Sequence, residues 1–328
     1  MVALQIVAST LFPTVIGAET LRVATWHVDL SRKGPGLLLR DILEDRDPEI
    51  STVVQEIARL KADVLLLSDI DFDHDLQALA ALNARLAEHG AGFAHLFARR
   101  PNSGWPTGLD LDGDGRLGGP RDAQGFGYFN GQGGLALLSR LPLDTGEISD
   151  LSQLLWRDFP GSSMALDDVG ADLQRLSSTA HWDVPVILSN GERLHVLAFH
   201  ATPPVFDGPE DRNGRRNADE LRLWQQYLNG ALPQPPPGER FVLLGNANLD
   251  PLRGDGRRAA MRAFLADPRV QDPAPGSDTA HWPAPGPGTM RVSYALPSSA
   301  LRVVAAGQGD PVGAHRPVWV DIDTDPGS

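Results

Sequence analysis

Residues 63–70, DVLLLSDI, set Val64, Leu65, Leu66 and Leu67 in an unbroken row between Asp63 and Ser68. A strand with one wet face alternates apolar and polar residues, so a continuous run marks a strand covered on both faces. Directly before it, Ser51 to Ala62 (STVVQEIARLKA) carries Val53, Val54, Ile57 and Leu60 at helical spacing. Further upstream Leu21 to Val28 (LRVATWHV) alternates as a strand, and a second helix is expected from Asp75 to Glu88. Strand, helix, strand, helix in that order predicts a layered α/β architecture.

Downstream, strands are expected at Gly134 to Ser139, Val184 to Leu188 and Arg193 to His200, the last two joined by the hairpin signal Ser189-Asn190-Gly191. Asn217 to Leu228 reads as a helix, Phe241 to Gly245 as a strand and Arg257 to Leu265 as a helix. Arg291 to Leu296, Leu301 to Ala305 and Pro317 to Ile322 read as closing strands. Arg99 to Gly134, dense in Gly, Asp and Asn, is expected to be a long structured loop, a kind that is usually functional in compact domains. Pro233 to Gly238 and Asp272 to Gly288 read as surface connectors, because strands in need of partners flank both.

The 328 residues include 34 Gly and 27 Pro, which excludes a coiled coil, while 41% hydrophobic content supplies a core and excludes disorder. The net charge of −13 argues against non-specific attraction to nucleic acid or an anionic membrane. No cysteine is present, so disulfides and thiolate ligands are excluded. Met1 to Ala18 (MVALQIVASTLFPTVIGA) is uncharged and ends on Ile16-Gly17-Ala18, the pattern of a secretory signal, with a buried N-terminal strand as the alternative. The expectation is an exported protein, periplasmic or extracellular, with residues 19–328 forming one monomeric domain. No later segment approaches the length of a membrane span.

Polar residues close several of these strands: His27 after LRVATW, Asp69 after DVLLLS, His200 after HVLAF, and Asn246 and Asn248 after FVLLG. His315 stands just ahead of RPVWVDI. Layered α/β proteins place ligands where apolar strands end, so these groups are candidates to converge. Capping a strand or satisfying backbone is the other role open to each.

In their order along the chain, LRVATWHV, DVLLLSDID, LAFHATPP, FVLLGNANLDP and GAHRPVWVDI resemble the endonuclease/exonuclease/phosphatase superfamily, the deoxyribonuclease-I-like proteins. The resemblance implies a four-layer sandwich of two mixed β-sheets flanked by helices, with the active site at one sheet edge. It also implies metal-assisted hydrolysis of a phosphate ester, in which concentrated positive charge offsets the negative oxygens that shield phosphorus. His200, Asn248 and His315 match catalytic positions of that pattern. Asp69, His27 and Asn246 fall at its metal side.

Departures from the pattern are equally specific. His27 stands for an Asn, Asp69 for a Glu, and Asn246, Ser293 and Ala314 each for an Asp, so one shortened carboxylate remains of four. Mg²⁺ or Mn²⁺ is the cofactor by resemblance, yet Mg²⁺ needs hard, charged oxygen ligands. Three readings stay open: a phosphodiesterase with an eroded metal site acting on an unidentified phosphate ester, a non-catalytic relative kept as a binding or structural module, and a rebuilt site. In the last, His27, His200, His315 and Asp69 form an imidazole-rich set suited to Zn²⁺ or another transition metal.

Other signals lie apart from these strings. Asp110, Asp112 and Asp114 alternate as in the first half of a calcium loop, which makes residues 110–122 a Ca²⁺ candidate, or else a solvated turn. Arg212, Arg215 and Arg216 are an anion-binding candidate, with neutralisation by Glu210, Asp211 and Asp219 as the alternative. Trp105, Trp156 and Trp182 are candidates to stack on substrate, and His181 is a secondary site candidate.

Overall fold

In a computed structural model that describes residues 20–165 and 167–324, the chain folds into two mixed sheets with helices outside them. The expected leader at 1–18 lies outside the described residues. The first half runs β1 (Thr20–His27), α1 (Leu37–Glu44), α2 (Pro48–Leu60), β2 (Val64–Ile70), α3 (Gln77–Glu88), β3 (His95–Phe97), β4 (Gly134–Ser139) and β5 (Ser149–Asp150). The second half runs β6 (Ala180–Ile187), β7 (Arg193–His200), α4 (Arg212–Leu228), β8 (Phe241–Asn246), α5 (Arg258–Leu265), β9 (Ala280–Trp282), β10 (Gly288–Met290), β11 (Ser293–Pro297), β12 (Arg302–Gln308) and β13 (Val318–Asp323).

One sheet has the order β12-β13-β1-β2-β4-β3 and the other β11-β8-β7-β6-β5. Side-chain alternation along each strand divides the apolar residues among three cores. Leu65 and Leu67 join Trp26, Ala136 and Leu138 against α1, α2 and α3. Val64 and Leu66 join Val23, Leu137, Val196 and Leu244 between the two sheets. Leu197, Phe199 and Leu243 pack with Trp224 of α4 and Phe264 of α5 on the far face. The unbroken run at 64–67 is thus a central strand buried on both faces, and the layers follow the order α/β/β/α.

Among the described strands, two adjacent pairs, β1·β2 and β7·β8, are parallel. Their four C-terminal ends therefore emerge on one edge. There β11 and β13 begin, since each runs antiparallel to its neighbour, with Ser293 opposite Asn246 and Val318 opposite Thr25. In β8 a Cβ at Gly245 would lie 2.0 Å from the Phe199 carbonyl oxygen, so only glycine lets β8 come this close to β7 just before His200.

Several expectations need correction. Asp272 to Gly288 is more than a connector: β9 and β10 form a two-stranded hairpin whose three-residue strands are too short for a period to register. Helix α1 and the short edge strands β3 and β5 went unread for the same want of length. Helix α4 begins at Arg212, five residues before the apolar period starts, because its first turns are polar residues facing a polar interior. Arg216, Asn217, Asp219 and Glu220 are all buried there.

Tryptophans 156 and 182 are fully buried, which removes them as stacking platforms. Trp105 is half-buried, with the Arg175 guanidinium 4.4 Å above its ring. His181 is likewise a core group: Ser177 Oγ lies 2.8 Å from its Nδ1, and its Nε2 faces the Glu220 carbonyl oxygen at 3.2 Å. Burial pushes His181 down to about 3. Burial pushes neighbouring Glu220 up to about 7, against the pull of Arg216 and the Ser178 and Thr202 N–H groups.

These two shifts act on stability with opposite signs. Below 6.5 the unfolded chain takes up a proton that folded His181 refuses until about pH 3, so His181 removes stability as pH falls through that window. Glu220 keeps its proton in the folded state up to about 7, whereas the unfolded chain releases it near 4.5, so its contribution is lost as pH rises through that range. Between about 4.5 and 6.5 the two slopes cancel. His200 and His315, also held below their ordinary value, make stability rise with pH in the same window. Urea denaturation is therefore expected to find the stability of Glu220→Gln rising more steeply than the parent's by on the order of 1 kcal/mol per pH unit, and equal slopes would show that Glu220 does not hold the extra proton.

Candidate active site

The four C-terminal strand ends and the two antiparallel starts bring His27, Asp69, His200, Asn246, Asn248 and His315 to one edge of the sandwich. His27 is the hub. Its ring centroid lies 5.1 Å from that of His200 and 4.2 Å from that of His315. Ser68 Oγ and Asn246 Nδ2 each approach His27 Nδ1 at 3.2 Å. That leaves Nε2 facing two carboxylates, Asp29 Oδ1 at 3.3 Å and Asp69 Oδ2 at 4.0 Å.

Asp29 was not anticipated from the sequence. It lies two residues beyond His27, past the strand end, and turns back only because its backbone is left-handed, with φ 53°. Asp69 and Asn248 share that conformation at φ 61° and 49°. Each costs on the order of 1 kcal/mol for a residue with a side chain, and such strain gathers at functional sites. At Asp69 the turn coincides with a register shift between Ser68 and Ile70 in the pairing of β2 with β4.

His200 and Asn248 form a second pair. Asn248 Nδ2 lies 3.2 Å from His200 Nε2 and donates to the Ala201 carbonyl at 2.8 Å, so the amide is the donor toward both. His200 Nδ1 is buried with no hydrogen-bond partner. The loops carrying this pair are held from α4: Asn217 Nδ2 donates to the carbonyls of Thr202 and Ala247, and Glu220 accepts from the Thr202 N–H.

His315 is set by the β9–β10 hairpin missed in the sequence. Ala280 bridges to His315, the His281 N–H donates to the Ala314 carbonyl at 2.8 Å, and the Trp282 ring meets the imidazole edge-on at 5.2 Å. One ring nitrogen of His315, Nδ1, is buried without a partner.

Burial opposes a charge on His27, but the Asp29 hydrogen bond and the Asp69 carboxylate outweigh it and hold His27 above its ordinary value. Asp29 is held low despite burial, mainly by His27. Burial raises Asp69. Burial and the neighbouring imidazoles push His200 well below its ordinary value, and burial with His27 pushes His315 down to about 3. The edge therefore presents one imidazole set for charge and two kept neutral.

The remaining candidates fall elsewhere. Asp110 and Asp112 do approach a third carboxylate, but it is Asp122; Asp114 instead accepts from the Arg116 N–H. Asp110 also accepts from the N–H groups of Gly113, Asp114 and Gly115. The three arginines spend their donors on the protein: Arg212 on Leu111 and Gln174, Arg215 on Ser163 and Asp168, Arg216 on the carbonyls of 175–177. Ser293 Oγ is buried and unpartnered beside Asn246.

Two mixed sheets between helical layers, with histidines and amides gathered at one edge, define the deoxyribonuclease-I-like class of fold. Residues 39–325 match the Endonuclease/Exonuclease/phosphatase family, and the chain belongs to it. A solved endonuclease/exonuclease/phosphatase from Beutenbergia cavernae aligns over 93% of this chain and 71% of its own, at 18% identity and TM-score 0.59. A family protein from Bacteroides thetaiotaomicron aligns over 94% of this chain and 99% of its own, at 12% identity and TM-score 0.54. A mutant beta toxin of Staphylococcus aureus with bound magnesium ions aligns over 92% and 99%, at 12% identity and TM-score 0.52. At such identities the likeness carries the fold. No curated protein matches the chain by sequence. No helix among the described residues is long and apolar enough to cross a membrane.

Divalent metals serve this family, and such an ion needs charged oxygen donors. Of the four carboxylate positions implied by the resemblance, Asp69 alone is acidic, while Asn246 is occupied with His27, Ser293 is neutral and Ala314 has no donor. These positions do not fit a Mg²⁺ ion, which takes hard oxygen ligands and several carboxylates.

Proposed function

We propose that this chain is an exported hydrolase of phosphate esters, phosphodiesters foremost, acting at the edge that joins His27, His200 and His315. The observation that carries the reading is the His200–Asn248 pair beside the His27–His315 pair, all supplied by strand ends of two different sheets. Family membership supports the hydrolase, and the uncharged, largely apolar sequence of residues 1–18 supports the export.

In this reading Asn248 positions His200: the two N–H groups of its amide go to His200 Nε2 and the Ala201 carbonyl, which fixes the ring at the edge where substrate would sit. His200, kept neutral by burial, carries the proton passed between water, substrate and leaving oxygen. His315 has lost the preceding carboxylate that would orient a base, and its ring faces His27 instead, which places it with the charge-handling group. No step is assigned to Mg²⁺.

A second reading, a non-catalytic binding module, is favoured by the neutral residues at 246, 293 and 314. The two separate in one experiment: hydrolysis of bis(p-nitrophenyl) phosphate by the full chain, supplied in turn with Mg²⁺, Mn²⁺, Co²⁺ and Zn²⁺. Turnover that EDTA abolishes supports the hydrolase; a folded chain silent with every ion overturns it.

A further inference from the structure

We infer that His27, Asp29 and His315 form a binding site for a first-row transition cation, in which Asp29 supplies the carboxylate that Ala314 lacks. The inference rests on the proposed function for the site's chemical role, and on geometry for its ligands.

Three observations carry it. His27, Asp29 and His315 each bring one ligand atom within 4.8 Å of the others, the spacing of donors around a single ion. Asp69 Oδ2 lies 4.0 Å from the same His27 Nε2, outside that trio yet near enough to add negative charge beside it. His315 Nδ1 is buried without a partner, a cost that is offset when a ring nitrogen ligates metal.

Asp29 reaches the place of the missing group directly. A Cβ added at Gly313 would lie 3.0 Å from Asp29 Oδ2, so the carboxylate rests against the segment 313–314. It therefore stands beside the histidine that lost its neighbouring acid. The His27 ring is held with Nε2 toward the carboxylates, because Ser68 Oγ and Asn246 Nδ2 both stand against Nδ1 at 3.2 Å.

Two imidazoles with one carboxylate make a nitrogen and oxygen set of three, with a fourth position open to water or substrate. Zn²⁺, Co²⁺ and Mn²⁺ accept such a set, whereas Mg²⁺ demands six hard oxygens in octahedral array. The substitutions that unmake a hard-oxygen site therefore assemble a borderline one at the same edge.

The test is calorimetric titration of the full chain with Co²⁺, Zn²⁺ and Mg²⁺, together with the visible absorption of the Co²⁺ complex. One Co²⁺ is expected at this site, with d–d bands of an N/O environment and binding at least about 100-fold tighter than Mg²⁺. Asp29→Ala and His315→Ala should each weaken Co²⁺ by about 100-fold or more and dim those bands. Asp110→Asn, in the separate acidic loop, should leave them unchanged. Asp29→Asn keeps the shape of the side chain and serves if the alanine variant unfolds; its melting temperature should no longer rise with Co²⁺, while the parent's does.

Absence of Co²⁺ binding, equal affinity for Mg²⁺, or binding untouched in the Asp29 and His315 variants overturns the inference. Co²⁺ bound at the site without hydrolysis would uphold the site and refute the hydrolase. Hydrolysis with Mg²⁺ and no Co²⁺ binding would do the reverse.

Discussion

With alanine at position 200, phosphodiester turnover is expected to fall by about 10²–10⁴-fold while the protein stays folded. The reason lies in what His200 alone provides. It ends β7 beside Asn248, its Nε2 accepts from the Asn248 amide, and burial keeps the ring neutral and able to carry a proton. No other neutral imidazole at this edge is paired with an amide. The fall should appear in kcat with little change in KM, because a proton carrier acts on the transition state. Asn248→Ala should cost less, since it removes one donor and leaves the carrier. A His200→Ala protein with parental kcat would move proton transfer to another group and sink the assignment.

Replacing Asp219 by alanine is expected to cost about 3–5 kcal/mol, read as a fall in melting temperature on the order of 10 °C. Asp219 is fully buried in α4, and its Oδ2 collects the Trp156 Nε1–H at 2.7 Å and the Ser163 N–H and Oγ at 2.8 Å each. Arg222 lies 3.3 Å from Oδ1. Alanine strands a fully buried indole N–H and opens the seam that ties residues 156–164 to the helix. Asp219→Asn keeps an acceptor and should lose markedly less. A loss below about 1 kcal/mol in the alanine variant would show that the seam does not depend on this carboxylate.

The same helix illustrates where reading a sequence stops. Its apolar period from Asn217 onward is visible, but the polar turns at 212–216 carry no period, because their partners are carbonyls forty residues away in the chain. Asp219 reads as a surface acid that neutralises an arginine, and only folding makes it a buried hub. The β9–β10 hairpin is hidden in the same way. Its strands are three residues long and set among prolines and glycines, yet they hold the backbone at His315.

Local pattern was enough for the layers. Strand and helix periods are properties of neighbouring residues, and DVLLLSDI announces a strand buried on both faces because burial leaves a mark on every position. The strand ends at His27, Asp69, His200 and Asn246 were legible for the same reason, as polar residues closing apolar runs. What linear order does not contain is distance between segments. That Asp29 turns back to His27 and leans on Gly313, that His315 is left with a bare ring nitrogen, and that Asp122 takes the place expected for Asp114 all depend on left-handed turns and crossings between distant loops. Those contacts are settled by the pairing of β1 with β13 in one sheet and by the loops beyond the strand ends, which bring residues some three hundred positions apart within reach of one ion.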